Sequence, residues 1–378
     1  MKVAIISHHV CKNDGQGRVN FELTRYLAGQ GHEIHLVAHS VSEELPGWGK
    51  ITAHLLPNPV ERPNVVKSMV FIRQAGKFVA AGNFDFVHAN GGVLLGPHHL
   101  NTSHFVHNWW KRFPHGSCKE GVYLRFATSL YAHLEKKAYA AAKIVVAVSH
   151  KVKRELVHYA GVDEEKIRVI YNGIDGDEFS PVNRSGARRE VLARWRIPPG
   201  RLLLLFAGDL RNDRKGISTV LEALHLLKAD GHLLVLGDAS GSPYVRQAEK
   251  MGLGDRITWA GFQKGINHYM RAADVFVYPT RTDSFPTVVM EALSSGTPVV
   301  VPGSEYCGVS ELLRDYHNAM LISSPWSAAD LAERVDLLAA GKNLWQKLSY
   351  AGRKLTEQMT WQAMAKNYEQ VYLELMRY

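Results

Sequence analysis

Short apolar runs alternate with amphipathic stretches along most of the chain. In the first half, runs at residues 3–7, 33–38, 51–56, 84–89, 103–106, 144–149 and 168–171 read as strands. Between them, apolar positions recur at helical spacing over 17–29, 66–79, 122–142 and 151–159. Repeated β-α alternation predicts a parallel sheet with helices on both faces. The rhythm pauses at 176–200, where Pro, Gly and charge dominate, and this stretch reads as a linker carrying one short helix. A second series follows, with strands expected at 202–206, 233–236, 256–260, 275–278, 299–301 and 319–322. Three helices, at 327–340, 343–355 and 360–376, close the chain. The fold class is therefore α/β, with two domains, at 1–175 and 201–359. Ligands in open α/β sheets bind outside the carboxyl ends of the strands, so both domains are expected to aim loops into a shared cleft.

Composition narrows the class without changing that picture. With 378 residues, 46% hydrophobic and 21% charged, the chain has ordinary globular composition and is too long for one core. No run approaches the roughly 18 apolar residues of a membrane-spanning helix. The N-terminal residues 1–7 read as a strand rather than a signal peptide. Cys11, Cys118 and Cys307 form neither a metal pattern nor a disulfide framework, which points to a reducing cytoplasm. Charge is uneven. Residues 1–175 hold 21 Lys+Arg against 14 Asp+Glu and 15 of the 19 histidines, whereas residues 176–378 hold 24 against 22. A basic first half suits an anionic partner, such as a phosphorylated substrate or a lipid surface. Nucleic acid is disfavoured, because no basic stripe is interleaved with aromatics.

Three loops carry candidate chemistry. The first, residues 8–17, ends in Asn13-Asp14-Gly15-Gln16-Gly17 and opens a helix, so its backbone N–H groups suit an anion. A plain strand-to-helix turn accounts for it equally well, and Asn20 stands where a dinucleotide fingerprint needs its third glycine. The second loop, 208–216, places Arg211, Arg214 and Lys215 before a helix. Cations there oppose the helix dipole and make sense once an anion joins them. The third, 279–293, sets Asp283 in an entry loop and Glu291 one or two turns into a helix. Two carboxylates so placed can grip hydroxyls on two parts of one ligand, and Glu291 among apolar neighbours needs partners.

The segment Asp283-Ser284-Phe285-Pro286-x3-Met290-Glu291-Ala292-x-Ser294-x-Gly296-x-Pro298-Val299-Val300 resembles the signature of the retaining nucleotide-sugar glycosyltransferases of family 4, which have the GT-B fold. Three other stretches extend the resemblance over nearly the whole chain in the right order: Gly308-Val309-Ser310-Glu311, Gly208…Arg214-Lys215-Gly216 and Asn172-Gly173-Ile174-Asp175. The resemblance implies two facing Rossmann-like domains, with the last helix (360–378) returning to the first. It also implies hexose transfer from a nucleotide diphosphate sugar, expected to be a UDP-sugar, to an acceptor hydroxyl. Configuration would be retained and no metal needed, because cationic side chains take over the metal's task. The chain departs from the pattern at Asp283 (Glu in the family), Pro286 (Gly) and Asp209 (Arg), and the 208–216 loop is one residue longer.

Roles follow by resemblance. Glu291 matches the clamp on the donor ribose, and Asp283 the contact to sugar hydroxyls near the reacting face. Lys215, with Arg211 or Arg214, would neutralise the departing diphosphate. Gly15, Gly17, Phe285, Thr287 and Val288 would offer backbone N–H groups to the donor, and the base would sit near Phe262. Among the histidines of 98–107, His107 best fits the family's catalytic-site histidine. Their spacing fits no common zinc site. Trp109-Trp110-Lys111-Arg112-Phe113 and the helix over 66–79 suit either an acceptor site and core packing or peripheral contact with an anionic membrane. The acceptor, a glycan, glycolipid or small molecule, is not legible. A lipopolysaccharide or surface polysaccharide precursor fits the basic domain. The rival readings are a sugar-nucleotide epimerase of the same architecture and a glycan- or lipid-binding protein with a decayed site.

Overall fold

The computed structural model describes residues 1–12, 15–57, 64–111 and 119–377. Its contacts divide the chain into two units, Met1–Gly173 with Trp361–Tyr378, and Ile174–Thr360.

The first unit is built on a seven-stranded sheet, in the order Ile51–Leu55, Glu33–Ala38, Lys2–Ile6, Phe86–Asn90, His98–Ser103, Ala142–Ala147 and Ile167–Val169. Every pairing is parallel. Lys2–Ile6 pairs on both sides, and Val3, Ala4, Ile5 and Ile6 are fully buried. A parallel strand covered on both faces needs such an unbroken apolar run, and each large side chain so buried contributes roughly 1.5–3 kcal/mol. The helix Trp361–Met376 belongs to this unit. Its Tyr372 ring stacks on Phe86 with centroids 3.9 Å apart, and Glu369 accepts from the Tyr26 hydroxyl at 2.9 Å.

The strand expected at 103–106 lies earlier, at His98–Ser103, and His107 opens a short helix, His107–Trp110. The reason is buried polarity. His98, Asn101, Thr102 and Ser103 are all buried, but each has hydrogen-bond partners in neighbouring strands, loops or helices. Asn101 Nδ2 donates to the Gly91 carbonyl at 3.0 Å, and Thr102 Oγ1 lies 2.8 Å from His88 Nε2. A strand that buries hydrogen-bonded polar groups carries no apolar run to betray it.

The second unit has a six-stranded parallel sheet, in the order Ile257–Gly261, Gly231–Leu236, Leu202–Ala207, Val275–Val277, Val299–Pro302 and Met320–Ile322. Its strands match the expected ones within two residues at each end. The stretch 176–200, expected as a linker, is part of this unit. Its helix Arg184–Arg194 is pinned there by the Arg184 guanidinium, which donates to the Ala273 carbonyl at 2.7 Å and pairs with Asp274 at 3.3 Å. The helix also buries Ala187, Val191 and Leu192, but these few apolar positions stand among arginines whose long side chains share the attachment, so composition hid it.

Candidate active site

In the second unit, strand Leu202–Ala207 leads into the loop from Gly208, which closes in a single turn, Asp213–Lys215, before helix Ile217–Leu226. Gly216 joins turn and helix at φ +81°, and a Cβ there would fall 2.0 Å from the Pro279 carbonyl oxygen. Only glycine tolerates both the backbone angle and that approach. Val275–Val277 is the neighbouring strand, so the loops leaving the two carboxyl ends meet.

Where they meet, the Lys215 ammonium pairs with Oδ2 of Asp283, and the Tyr278 hydroxyl donates to the same oxygen at 2.8 Å. Both members of the ion pair are 13% exposed. Burial holds Lys215 below the ordinary lysine range against the pull of Asp283. Burial also pushes Asp283 up, but Lys215, Arg214 and the Tyr278 bond outweigh it, and the carboxyl lies below its usual range. The Tyr278 phenol is raised by burial and by Asp283. Asp283 is thus a charged acceptor and Tyr278 a fixed donor at neutral pH. The main chain holds Asp283 in place: its N–H donates to Tyr306 O at 2.7 Å, and its carbonyl accepts from Gly308 N at 3.0 Å.

Helix Thr287–Ser294 begins four residues later. Five of its eight residues are buried, and the half-buried ones are Thr287, Val288 and Glu291, a single stripe at i, i+1 and i+4. The N–H groups of Thr287 and Val288 lie in the first turn, outside the intrahelical ladder, and point out of the helix N-terminus. Pro286 is the N-cap, where a missing N–H costs the helix nothing. Phe285 is 5% exposed, whereas Phe262 stands 76% exposed just past the end of strand Ile257–Gly261.

The structure separates the two arginines of the 208–216 loop. Arg214 acts electrostatically on Lys215, Asp283 and Tyr278. Arg211 is 87% exposed and is held by Asp209, with nitrogen–oxygen distances of 2.7, 2.9 and 3.1 Å. The aspartate that replaces the expected arginine therefore engages Arg211 itself.

In the first unit, Gly15 opens helix Gly15–Gly29, with no other described residue packed within 4 Å of where its Cβ would stand, and Gly17 is buried in the first turn. Asn13 and Asp14 lie outside the described residues, as do Arg112 and Phe113. His107 is fixed by a residue that sequence reasoning missed, Glu135 of helix Lys119–Ala141. Its carboxylate accepts from the His107 backbone N–H at 2.9 Å and lies 2.7 Å from Nδ1. Glu135 is 5% exposed, and the imidazole, 32% exposed, packs on Phe105 and Tyr131. The signal in the sequence was an acidic residue on the buried face of a helix with a net positive charge. Phe71, on the helix Asn64–Ala81 considered for a membrane, is fully buried against His8 and His39. Among the described residues no helix is long and apolar enough to cross a membrane, and no group of His, Cys, Asp and Glu could hold a metal ion.

Two family models cover this architecture. One, described as glycosyltransferase family 4, matches residues 13–178, and the other, glycosyl transferases group 1, matches residues 187–355. The chain belongs to glycosyltransferase family 4. This family 4 chain is similar to a D-inositol 3-phosphate glycosyltransferase of Streptomyces bingchenggensis, at 31% identity over 64% of its own length. It spans only 55% of the length of that relative. It shares its fold with WaaG, described as a glycosyltransferase involved in lipopolysaccharide biosynthesis (TM-score 0.81, 18% identity, 98% and 99% of the two chains). HepE of Anabaena, solved with UDP-glucose, aligns with a TM-score of 0.74 at 17% identity, over 99% and 100% of the two chains. The two-unit parallel α/β build is that of the GT-B glycosyltransferases.

A cavity of about 500 Å³ in the second unit of this family 4 chain lies elsewhere, at the amino ends of the strands, lined by Arg184, Arg188, Arg201 and Trp345. Its arginines donate to the carbonyls of Arg271, Ala272, Ala273, Arg201 and Asp255. They tie the sheet's amino edge together, and the Lys215–Asp283 pair lies at the opposite, carboxyl edge.

Proposed function

We propose that this chain transfers a hexose from a nucleoside diphosphate sugar, a UDP-sugar, to an acceptor hydroxyl with retention of configuration. The observation that carries the reading is the convergence, in one unit, of Lys215, Arg214, Asp283 and the half-buried stripe Thr287–Val288–Glu291. The likeness to a structure solved with UDP-glucose supports the donor class. In this reading Lys215 and Arg214 meet the diphosphate, Asp283 meets sugar hydroxyls through Oδ1, and Glu291 takes the ribose. Thr287 and Val288, with Phe285, present backbone N–H groups, and the base lies against Phe262. Gly15 and Gly17 offer N–H groups from the first unit.

The bond from the anomeric carbon to the phosphate oxygen breaks, and the acceptor oxygen bonds to that carbon on the same face. The acceptor proton passes to the departing phosphate oxygen. Charge grows on the diphosphate as this happens, so cations fixed beside it stabilise the transition state more than the ground state. That is also the basis for proposing that no metal or cofactor is required. His107, held by Glu135, supplies a hydrogen bond on the reacting face.

For the acceptor we propose a surface glycan or lipopolysaccharide precursor, met at the cytoplasmic face of a membrane. Val122, Leu124 and Phe126 are 70%, 49% and 62% exposed near the start of helix Lys119–Ala141, with Arg125 among them. Exposed apolar side chains beside cations favour an anionic interface. Co-sedimentation with vesicles that is indifferent to anionic lipid would remove that part.

The donor panel decides the rest. Purified protein is given UDP-, GDP- and ADP-sugars with and without acceptors, and products are read by mass spectrometry. Release of one nucleoside diphosphate, abolished by Glu291→Ala, is the expected result. Conversion of the donor to an isomer without an acceptor would establish the epimerase instead. Neither turnover nor a thermal shift with any donor would mean a decayed site.

A further inference from the structure

The Lys215–Asp283 pair has a companion that joins the same two loops. Two residues earlier on each strand-to-helix connection the charges are reversed: Arg281 pairs with Asp213 at 2.7 Å. Arg281 is buried at 7% exposure. Its second terminal nitrogen donates to the Pro325 carbonyl, and its guanidinium lies 5.2 Å from the Trp326 ring. Asp213 is equally committed: Oδ2 accepts from Ser218 Oγ at 2.6 Å and Oδ1 from Ser218 N at 3.0 Å. Tyr244 faces both charges, its phenol pushed up to about 12 by burial and by Asp213, against Arg281. The backbones are tied at the same place. Arg281 N–H donates to the Arg214 carbonyl at 2.8 Å, and Thr280 Oγ1 donates to it at 3.0 Å.

We propose that Arg281 and Asp213 are positioning residues, a clamp that holds the Asp213–Lys215 turn in register with the Asp283 loop when a donor diphosphate draws Lys215 away from Asp283. The inference rests on the function proposed above and adds residues to it. The inner pair has to open for Lys215 to meet an anion, and a turn held only by that pair would then be free to shift. The outer pair, anchored by the Pro325 carbonyl, the Trp326 ring and Ser218, keeps its bonds, so Lys215 and Arg214 remain aimed. Misplacement of a catalytic cation by an ångström costs on the order of a hundredfold in rate.

The test compares wild type with Arg281→Lys, Arg281→Gln, Asp213→Asn and the double variant Arg281→Gln/Asp213→Asn, the last leaving neither charge orphaned. Three readouts are taken on the full chain: thermal midpoint, kcat and KM for the donor, and the rate at which an amine-reactive reagent labels Lys215, followed by peptide mass spectrometry. Arg281→Gln is expected to lower kcat about a hundredfold and to speed Lys215 labelling at temperatures where the protein stays folded. Arg281→Lys is expected to recover part of both, and the double variant to lose no more than the worse single one. A folded Arg281→Gln or double variant with unchanged kcat and unchanged Lys215 labelling overturns the clamp. So does a kcat that falls only as the folded fraction falls. Labelling needs no substrate, so a wild type that turns over no donor refutes the proposed function while the clamp is still judged.

Discussion

The two units finish their strands with opposite electrostatics. In the second, the carboxyl edge is a lattice of full charges, Lys215 on Asp283 and Arg281 on Asp213, each cation matched to an anion from another loop. In the first, beside one buried pair, Lys151 with Glu155, His8 and His104 stand at that edge and His88 lies mid-strand, imidazoles that burial keeps neutral. His8 and His104 are lowered to about 4 and His88 to about 3, all mainly by desolvation. In the second unit His232 is a comparable case, also lowered to about 4. Paired charges suit a ligand that arrives charged and leaves more so, because the cation can exchange one anion for another. Neutral imidazoles donate and accept hydrogen bonds without adding charge, which suits a hydroxyl-bearing partner.

The comparison breaks most sharply at Lys215. Lys215→Ala removes the cation nearest the proposed leaving group, and transfer should fall by roughly a hundredfold to a thousandfold, about 3–4 kcal/mol. It also leaves Asp283 buried without its partner, so melts must accompany the kinetics. Lys215→Ala/Asp283→Asn should regain midpoint without regaining activity. Activity restored along with stability would show that the pair only holds the loops together.

Next in size is Glu135, whose carboxylate holds both the ring and the backbone N–H of His107. Glu135→Ala frees the two together, and kcat should drop roughly tenfold to a hundredfold with little change in donor KM. An unchanged kcat would take His107 out of the reacting face.

Protonation should strike the units unequally. His88 is 1% exposed and bonded to Tyr372 and Thr102, so the unfolded chain takes up its proton more readily than the native one. Its contribution is complete above its unfolded value of 6.5 and is lost as pH falls from there toward about 3. The loss is about 1.4 kcal/mol per pH unit, or about 2 kcal/mol by pH 5. Circular dichroism melts at pH 7 and pH 5 should show the first unit losing more than the second, and His88→Gln should flatten the slope. Equal losses would erase the electrostatic contrast.

How much of this was legible follows the same division. Charged loops of the second unit are local in sequence and sit beside apolar strands, so residue order alone places Lys215, Asp283 and Glu291. It does not place the strand His98–Ser103, whose buried polar groups find partners only once other strands, loops and helices pack around it. Glu135 escaped for a related reason: its partner is 28 residues away and joins it only once the helix packs. Nor did spacing reveal that Arg281 answers Asp213, 68 residues earlier in the chain. What sequence cannot show is which charges neutralise each other, and that decides which remain for a ligand.

Arg211 is where that point meets its smallest expected effect. Spacing alone made it as good a phosphate ligand as Arg214. Its guanidinium is 87% exposed and already bidentate to Asp209, and an exposed pair of this kind is worth about 0–1 kcal/mol. Arg211→Ala should therefore change kcat/KM by less than about twofold, a difference near 0.4 kcal/mol. Arg214→Ala, beside the buried pair, should cost tenfold or more. Asp209→Ala supplies the counterpart: with its carboxylate gone, Arg211 is released, and donor KM should fall if the freed guanidinium swings onto the diphosphate. Steady-state kinetics of each variant with the donor under fixed salt read all three. If Arg211→Ala costs as much as Arg214→Ala, the Asp209 pair opens on binding, and both arginines serve the anion.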